Sequence, residues 1–544
     1  MRRCVASLNR RVWAESCRRD RAWRVGACAR ALTTDVAREQ GATARAWWAG
    51  SLAVGASFGL GAWYLATHPG PALAKDVSSL PEYSKEEVAK HRTPEDRVWV
   101  TYKEGVYDIT DWVDIHPGGK ARLMMAAGSA IDPFWSMYQH HNTQQVRDIL
   151  EGYRIGSLEG GAPPPPEDPY ADDPKDRLPA LIVRSARPMN AEPPRELLTG
   201  SVITPTEVFY IRNHLPVPRI DEAQYSLRIE GQGIKTLDLS LDRLKAEFRK
   251  HTVTATVQCS GNRRNDFYAV KDVKGLEWGG AAIGTAVWGG VRLGEVLQAA
   301  GLDPGAEGVR HVQFFGADAD GAGQAYAASI PVHRALDPRA DVLLAYEMNG
   351  APLTRDHGAP LRVIVPGTAG CRSVKWVTKI VPSGEEADSL WQRRDYKAFS
   401  PSVGWDEVDW DSAPAIQAMP VTSLICEPAP GARVEPGDLV TVKGYAWSGG
   451  GNRVIRVDVT ADGGATWHTA ELEGVEQEEG RNWAWVLWSA EVEVPGTPGE
   501  VEIAAKATDA SYNTQPEAPG PIWNLRGVNC NSWPRIRIVA EEAQ

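Results

Sequence analysis

The sequence predicts a multidomain α+β protein that ends in an immunoglobulin-like β-sandwich. Three observations predict it. At 544 residues the chain is too long for one hydrophobic core, and its length suggests about three or four domains. The stretch Gly160-Gly-Ala-Pro-Pro-Pro-Pro-Glu-Asp-Pro169 has the composition of a semi-rigid linker hinged by its glycines, or of a passive spacer. From Val421 onward, apolar and polar residues alternate in short runs separated by turn signals, as in a sandwich of two antiparallel sheets. A hydrophobic content of 43% and a charged content of 24% are those of soluble globular protein. The net charge of −11 argues against nucleic acid as a general partner.

The charge is uneven. Residues 1–46 hold eleven arginines, no lysine and four acids, a balance of +7 that leaves −18 on the remainder. An Arg-rich, acid-poor start reads as a mitochondrial transit peptide, or as a basic disordered tail. Residues 47–66 are uncharged and long enough to span a bilayer, but their Gly, Ala and Ser content makes them weakly hydrophobic. A basic presequence followed by such a stretch predicts a targeting and sorting segment over 1–73 and delivery to the mitochondrial intermembrane space. Cleavage is expected after Tyr64, with no stable membrane insertion of the mature form.

From about Ser79 the composition is globular. Val98-Trp-Val-Thr-Tyr102 and Val106-Tyr-Asp-Ile-Thr110 predict strands joined by a hairpin at Lys103-Glu-Gly105. His116-Pro-Gly-Gly119 precedes a helical run over 120–127, and Gln139-His-His-Asn142 holds further histidines. Two histidines brought from separate helices to opposite faces of a haem would give six-coordinate iron suited to electron transfer. Alone, His-Pro-Gly-Gly also fits a helix-capping turn.

Residues 178–414 read as mixed α+β, with helices over 241–250 and 294–300. No Gly-x-Gly-x-x-Gly follows a strand there, so a nucleotide-binding sheet is not indicated. The chemistry centres on Thr256-Val-Gln-Cys-Ser-Gly-Asn-Arg-Arg264. An apolar, β-branched strand ends at Cys259 and turns at Ser260-Gly261-Asn262 into two arginines. Adjacent guanidinium charge stabilises a thiolate, thiolate is a soft metal ligand, and guanidinium groups bind oxyanions. A small buried hydrophobe beside two surface arginines fits the same residues. No second Cys or His lies at zinc spacing. Cys4, Cys17 and Cys28 fall in the segment expected to be removed, and Cys259, Cys371, Cys426 and Cys530 form no recognisable disulfide framework.

In the C-terminal region, 440–447, 454–460 and 501–507 alternate as strands, and Asp462-Gly-Gly464 signals a hairpin. By itself this sandwich also fits an adhesion or carbohydrate-binding module.

Gln258-Cys-Ser-Gly-Asn-Arg-Arg264 resembles the molybdenum-cofactor cysteine motif of the sulfite oxidase family. Phe209-Tyr-Ile-Arg-Asn-His-Leu-Pro-Val-Pro218 supports it upstream; Asp356-His-Gly-Ala-Pro-Leu-Arg362, Ser373-Val-Lys-Trp376 and Trp523-Asn-Leu-Arg-Gly527 support it downstream, in the family's order. Ser260 stands where many members carry Ala. Gly105-Val-Tyr-Asp-Ile-Thr110 with His116-Pro-Gly-Gly119 resembles the cytochrome b5 family.

The resemblance implies a cytochrome b5-like haem domain over 79–158, a hinge linker over 159–177, a molybdenum-cofactor domain over 178–414 and a dimerisation sandwich over 415–544. It implies molybdenum-molybdopterin on Cys259 and a b-type haem on His116 and His141, with His140 the adjacent competitor. Arg212, Arg264 and Arg526 match the family's anion pocket, lined also by Trp278 and Tyr396. Tyr210, Ile211, Arg212, Asn213, His214, Asp318, His357, Arg362, Ser373, Val374 and Lys375 match its cofactor contacts, with Asp320 competing for the role of Asp318. The implied activity is oxidation of sulfite to sulfate, with electrons passing singly through the haem to cytochrome c, and the implied assembly is a homodimer. Asp108, Asp111, Asp114 and Asp132 are candidate contacts for that basic acceptor. A nitrate reductase-like molybdenum enzyme is the alternative, although there the haem domain follows the molybdenum part.

Overall fold

The computed structural model describes residues 79–116, 119–138, 141–162 and 167–542. The targeting and anchor expectations over 1–73, and the competitor His140, lie outside the described residues. All described residues belong to one compact unit, Pro71–Gln544.

The haem-domain expectation meets a five-stranded sheet in the order Glu82–Tyr83, Arg154–Leu158, Gly105–Asp108, Trp99–Tyr102, Ser129–Ala130. The predicted hairpin is present: Trp99–Tyr102 pairs antiparallel with Gly105–Asp108, closing at Tyr102 and Gly105. Val98, Val100, Tyr107, Ile109, Ile131 and Trp135 pack into one core against the sheet. Two expectations are corrected. The helix after Gly119 is shorter than predicted, Lys120–Met124, because the chain must turn for Ser129 to pair beside Val100. His116 and His141 do not sit within α-helices. His116 precedes Lys120–Met124, and His141 lies between Asp132–Met137 and Gln144–Glu151.

The central region is mixed α+β as predicted. One sheet runs Leu237–Ser240, Ser226–Ile229, Val377–Ser383, His311–Ala319, Ala325–Pro331; a second runs His251–Gln258, Ile283–Arg292, Leu343–Met348, Ala351–Pro352. The helix predicted over 241–250 is Leu241–Glu247, started by the Ser240 hydroxyl accepting from the Arg243 amide at 3.2 Å. The second helix is Leu293–Ala299.

The C-terminal region is the predicted sandwich. Thr422–Glu427, Leu439–Trp447, Val486–Glu493 and Glu471–Gly474 form one sheet; Arg433–Val434, Arg535–Ala540, Gly499–Asp509, Val454–Thr460 and His468–Thr469 form the other. Strand periodicity decides what holds it to the rest. On Leu439–Trp447, Val442 and Ala446 face the sandwich core, whereas Tyr445 and Trp447 enter the core of the central region. The Tyr445 hydroxyl donates to the Gly280 carbonyl at 2.7 Å, and the Trp485 indole donates to the Val202 carbonyl at 2.8 Å. The sandwich is thereby rigidly coupled to the segment around Cys259.

Candidate active site

The strand His251–Gln258 pairs along its whole length with Ile283–Arg292, and this register delivers Cys259 to the sheet end. The Cys259 amide continues the ladder to the Ala282 carbonyl at 2.9 Å, and its own carbonyl accepts from the Asn262 amide at 2.9 Å to close the turn. Asn262 locks that turn: its Oδ1 accepts from the Ala282 amide at 3.0 Å and its Nδ2 donates to the Tyr445 hydroxyl at 3.0 Å.

The two arginines of the motif part company. Arg263 sits at φ +62°, a costly conformation for a bulky residue. It turns into the sandwich, donating to the Ser423 carbonyl at 3.1 Å and pairing with Asp266 at 2.6 Å. Only Arg264 serves the cysteine's surroundings. It donates to the carbonyls of Gly527 at 2.9 Å and Leu276 at 2.8 Å. A Cβ at Gly261, Gly275 or Gly527 would lie 2.4, 2.7 or 2.9 Å from its side chain, so three glycines cradle it. Burial pulls the Arg264 guanidinium down, Cys259 opposes this, and Arg526 and Arg212 push it down further. Burial likewise opposes the charge of Arg212, but Tyr396 and Cys259 outweigh it and raise the group. The sulfur and three cations therefore share one electrostatic site.

Cys259 opens into a partly enclosed cavity that it shares with polar and aromatic side chains from several segments. Tyr210, Arg212 and His214 line it because alternate residues of an extended segment share a face. Ile211 faces away and packs against Leu181 and Ala191; Asn213, also behind the wall, accepts from the Lys375 ammonium. Tyr396 lines the cavity at the end of a π-helix, Trp391–Asp395, a rare element that often marks functional sites. Its hydroxyl lies 2.6 Å from His214 Nε2. Arg526, from the sandwich end of the chain, is clasped by the Asp395 carboxylate at 3.0 Å.

The far half of the cavity is formed by Asp318, His357, Arg362, Ser373, Val374 and Lys375. Arg362 donates to the carbonyls of His357 at 3.0 Å and Ser373 at 3.1 Å. Burial pushes the Asp318 carboxyl up, against the pull of Lys375, and the same burial pulls Lys375 down. Asp318 Oδ1 and Arg362 Nε are buried without a hydrogen-bond partner. Such atoms are costly in a finished interior, and a ligand carrying N–H donors and anionic oxygens would satisfy both. The residues present thus fit a pterin with a phosphate. Asp320 does not compete, because its Oδ1 is occupied by the amides of Ala322 and Gln324, both at 2.9 Å.

Besides Ile211 and Asn213, three expected residues lie off the cavity wall: Trp278 is fully buried edge-on to Tyr210, at 6.5 Å between ring centres, and neither Arg264 nor Arg526 lines the cavity. Sequence reasoning missed Phe209, Tyr326, Asp356, Cys371 and Trp376 on the wall. Asp356 and Trp376 lie inside motifs already noted, and Cys371 stands two residues before one. Tyr326, alone on its strand, gave no signal.

At the haem expectation, the His116 and His141 rings are within 8° of parallel with centres 6.1 Å apart. Two metal–imidazole bonds of about 2 Å, with about 1 Å from each nitrogen to its ring centre, require about 6 Å. His116 Nδ1 faces the Gly119 carbonyl at 3.3 Å and His141 Nδ1 the Tyr138 carbonyl at 3.0 Å. Donation there fixes the tautomer that presents Nε2 to a metal. The pair fits a bis-histidine haem. Of the acidic residues expected to meet an acceptor, Asp108 pairs with Arg97, Asp114 with Lys120, and Asp132 accepts from the Lys103 amide. Among the described residues no group of three or more His, Cys, Asp or Glu is placed to cage a metal.

Comparison with known proteins matches this geometry. A cytochrome b5-like haem/steroid binding domain matches residues 84–159, an oxidoreductase molybdopterin binding domain 214–391, and a Mo-co oxidoreductase dimerisation domain 413–541. Sulfite oxidase of Gallus gallus is 53% identical over 461 residues, covering 84% of this chain and all of that one. The chain belongs to the sulfite oxidase family. Another family member, the mitochondrial sulfite oxidase of Homo sapiens, is 54% identical over 84% of each chain. The crystal structure of the sulfane dehydrogenase SoxCD from Paracoccus pantotrophus aligns with a TM-score of 0.54 at 26% identity, covering 68% of this chain and 90% of that one. In this family member the haem domain precedes the molybdopterin domain, the order that separates it from the nitrate reductase alternative.

Proposed function

We propose that this chain oxidises sulfite to sulfate at a molybdenum-molybdopterin centre ligated by Cys259, and passes the electrons singly through a b-type haem held by His116 and His141 to cytochrome c. The observation that carries the reading is the meeting of Cys259, Arg212, Arg264 and Arg526 beside a cavity whose far wall leaves Asp318 and Arg362 atoms unsatisfied. A molybdenum centre held by Cys259 would supply oxygen-atom transfer, and a haem held by His116 and His141 would supply one-electron transfer. The protein's share is positioning and electrostatics.

Arg212, Arg264 and Arg526 give the pocket fixed positive charge for a small dianion. Each already spends donors inside the protein, on Asn190, on two backbone carbonyls and on Asp395 respectively. Their grip on an anion is therefore partial, which favours release of sulfate over product inhibition. Tyr396 presents a hydroxyl to the substrate oxygens, oriented by His214. Asp318 accepts pterin N–H groups, Arg362 and Lys375 neutralise the phosphate, and Tyr210, His357, Ser373 and Val374 shape the walls. Ile211, Asn213 and Trp278 support the wall from behind.

The domain boundaries given above, the mitochondrial location and the homodimer through 415–544 belong to the same reading. They are supported by the mitochondrial relatives and the dimerisation-domain match. Delivery to the intermembrane space rests on the basic presequence and the apolar stretch behind it. No helix among the described residues is long and apolar enough to cross a membrane. Sulfite-dependent reduction of cytochrome c by the purified chain, with molybdenum and haem quantified in the same sample, tests the proposal. Bound haem without molybdenum, and no sulfite turnover, would point instead to an electron carrier fused to a binding module.

A further inference from the structure

A second thiol shares the cavity. Cys259 and Cys371 are both buried free cysteines and both line it. They arrive on segments in direct backbone contact. Gln258 and Ala369 form a parallel bridge, and the Cβ position of Gly370 lies 2.8 Å from the Gln258 carbonyl oxygen. The residues just before each cysteine therefore touch, and both side chains emerge into the same space. Disulfides require Cα atoms within about 7 Å, a separation that this contact brings within reach. Cys426 and Cys530 are buried elsewhere, Cys426 in the sheet joining the sandwich to the central region and Cys530 among Phe267, Trp523 and Leu525.

We infer that, in the cofactor-free chain, Cys259 and Cys371 form an oxidation-sensitive pair whose disulfide bars molybdenum from the site. The second half of this inference rests on Cys259 being the molybdenum ligand; the first half does not. A hydroperoxide is the oxidant. The Cys259 thiol loses its proton as its sulfur attacks one peroxide oxygen, the O–O bond breaks, and the hydroxide that leaves takes up that proton, giving a sulfenic acid and water. The Cys371 sulfur then attacks the Cys259 sulfur, the S–O bond breaks, and hydroxide leaves and takes up the Cys371 proton as water. Two thiols and one hydrogen peroxide thus give one disulfide and two waters. A bound cofactor would occupy the ligand sulfur and protect it.

The test uses the full chain made without molybdenum cofactor, treated with hydrogen peroxide and mapped by mass spectrometry without reduction. A linked peptide pair containing Cys259 and Cys371 is expected. It should be reversed by dithiothreitol, absent from the molybdenum-loaded enzyme and absent from Cys371→Ala. Molybdenum uptake by the oxidised chain should fall at least tenfold and return on reduction, whereas in Cys371→Ala the same treatment should carry Cys259 on to sulfinic or sulfonic acid and the lost uptake should not return with dithiothreitol. Overoxidation of Cys259 without a cross-link, or linkage to Cys426 or Cys530, would overturn the inference. Normal uptake by the cross-linked chain would overturn its second half. Full sulfite turnover by a molybdenum-loaded Cys259→Ser chain would instead sink the ligand assignment, and the cross-link would be judged separately from the first measurement.

Discussion

His214 Nε2 lies 2.6 Å from the hydroxyl of Tyr396, and Tyr326 packs against the same imidazole, tilted by 33° with ring centres 5.0 Å apart. The contact joins residues 182 positions apart and aims a phenol into a cavity rich in positive charge. Tyr396→Phe keeps the ring and removes the hydroxyl. A hydrogen bond to a charged group contributes roughly 1.5–3 kcal/mol, so kcat/KM for sulfite should fall on the order of 10- to 100-fold. Steady-state kinetics with an acceptor that draws directly on the molybdenum site would show it. Unchanged kcat/KM would remove Tyr396 from the reaction.

Cys259→Ser should abolish sulfite turnover while leaving the fold and the haem spectrum intact, because oxygen is a poorer ligand than sulfur for a soft metal site. Circular dichroism and molybdenum content are measured beside activity. Full turnover by a folded, molybdenum-loaded Ser variant is the result that excludes the assignment.

His116→Ala and His141→Ala should each lose the low-spin haem spectrum and cytochrome c reduction, while sulfite oxidation with a direct acceptor persists. The 6.1 Å separation of two nearly parallel rings is the observation behind this. Loss of the low-spin spectrum in His140→Ala, with His141→Ala unaffected, would assign the neighbouring residue.

His357 carries a pH dependence whose sign follows from its burial. Burial first, then the charges of Arg362 and Lys375, depress this imidazole from 6.5 to about 4. The unfolded chain then binds the proton more readily, so stability is full above pH 6.5 and falls as pH drops toward 4. The span corresponds to on the order of 3 kcal/mol. His357→Gln should flatten the urea-unfolding midpoint between pH 7 and pH 4.5 relative to the parent chain. Identical pH slopes in both would rule out the effect.

Arg177, in the predicted linker, donates to both carboxylate oxygens of Asp356, at 2.8 and 3.0 Å. Burial raises the Asp356 carboxyl, but the Arg177 bonds and charge outweigh it and hold the group low. Arg177→Met would strand a buried carboxylate and should cost about 3–5 kcal/mol in thermal or urea unfolding. In the parent chain this pair stabilises above the usual carboxylate range and weakens as acid protonates Asp356. A loss below about 1 kcal/mol would mark it as an ordinary surface pair.

Much of this was legible before any coordinates. Strand alternation placed the sandwich, and Val454–Thr460 matches its predicted bounds because one face had to be apolar and the other polar. Cys259 was legible because a strand ending in a thiol, a Gly-Asn turn and paired arginines is a rare local string. Its local order could not tell which arginine served the site. Arg263 and Arg264 are neighbours in sequence, yet one is held by Ser423 and Asp266 and the other by Gly527 and Leu276. That choice depends on a left-handed backbone at Arg263 and on glycines contributed by distant segments.

The sequence by itself determined the motif order, the kinds of domain and most of the residues that line the cavity, since these depend on short-range pattern and residue type. Only the tertiary structure decided that Asp318 rather than Asp320 faces the cavity, that Trp278 stands behind Tyr210, and that Tyr326 and Cys371 belong to the wall. It also placed His116 and His141 outside the α-helices, His141 in a 3-10 turn. The physical reason is shared. Whether a side chain enters a cavity or satisfies a neighbouring amide depends on which donors remain unpaired after distant segments pack, and no window of sequence contains both partners.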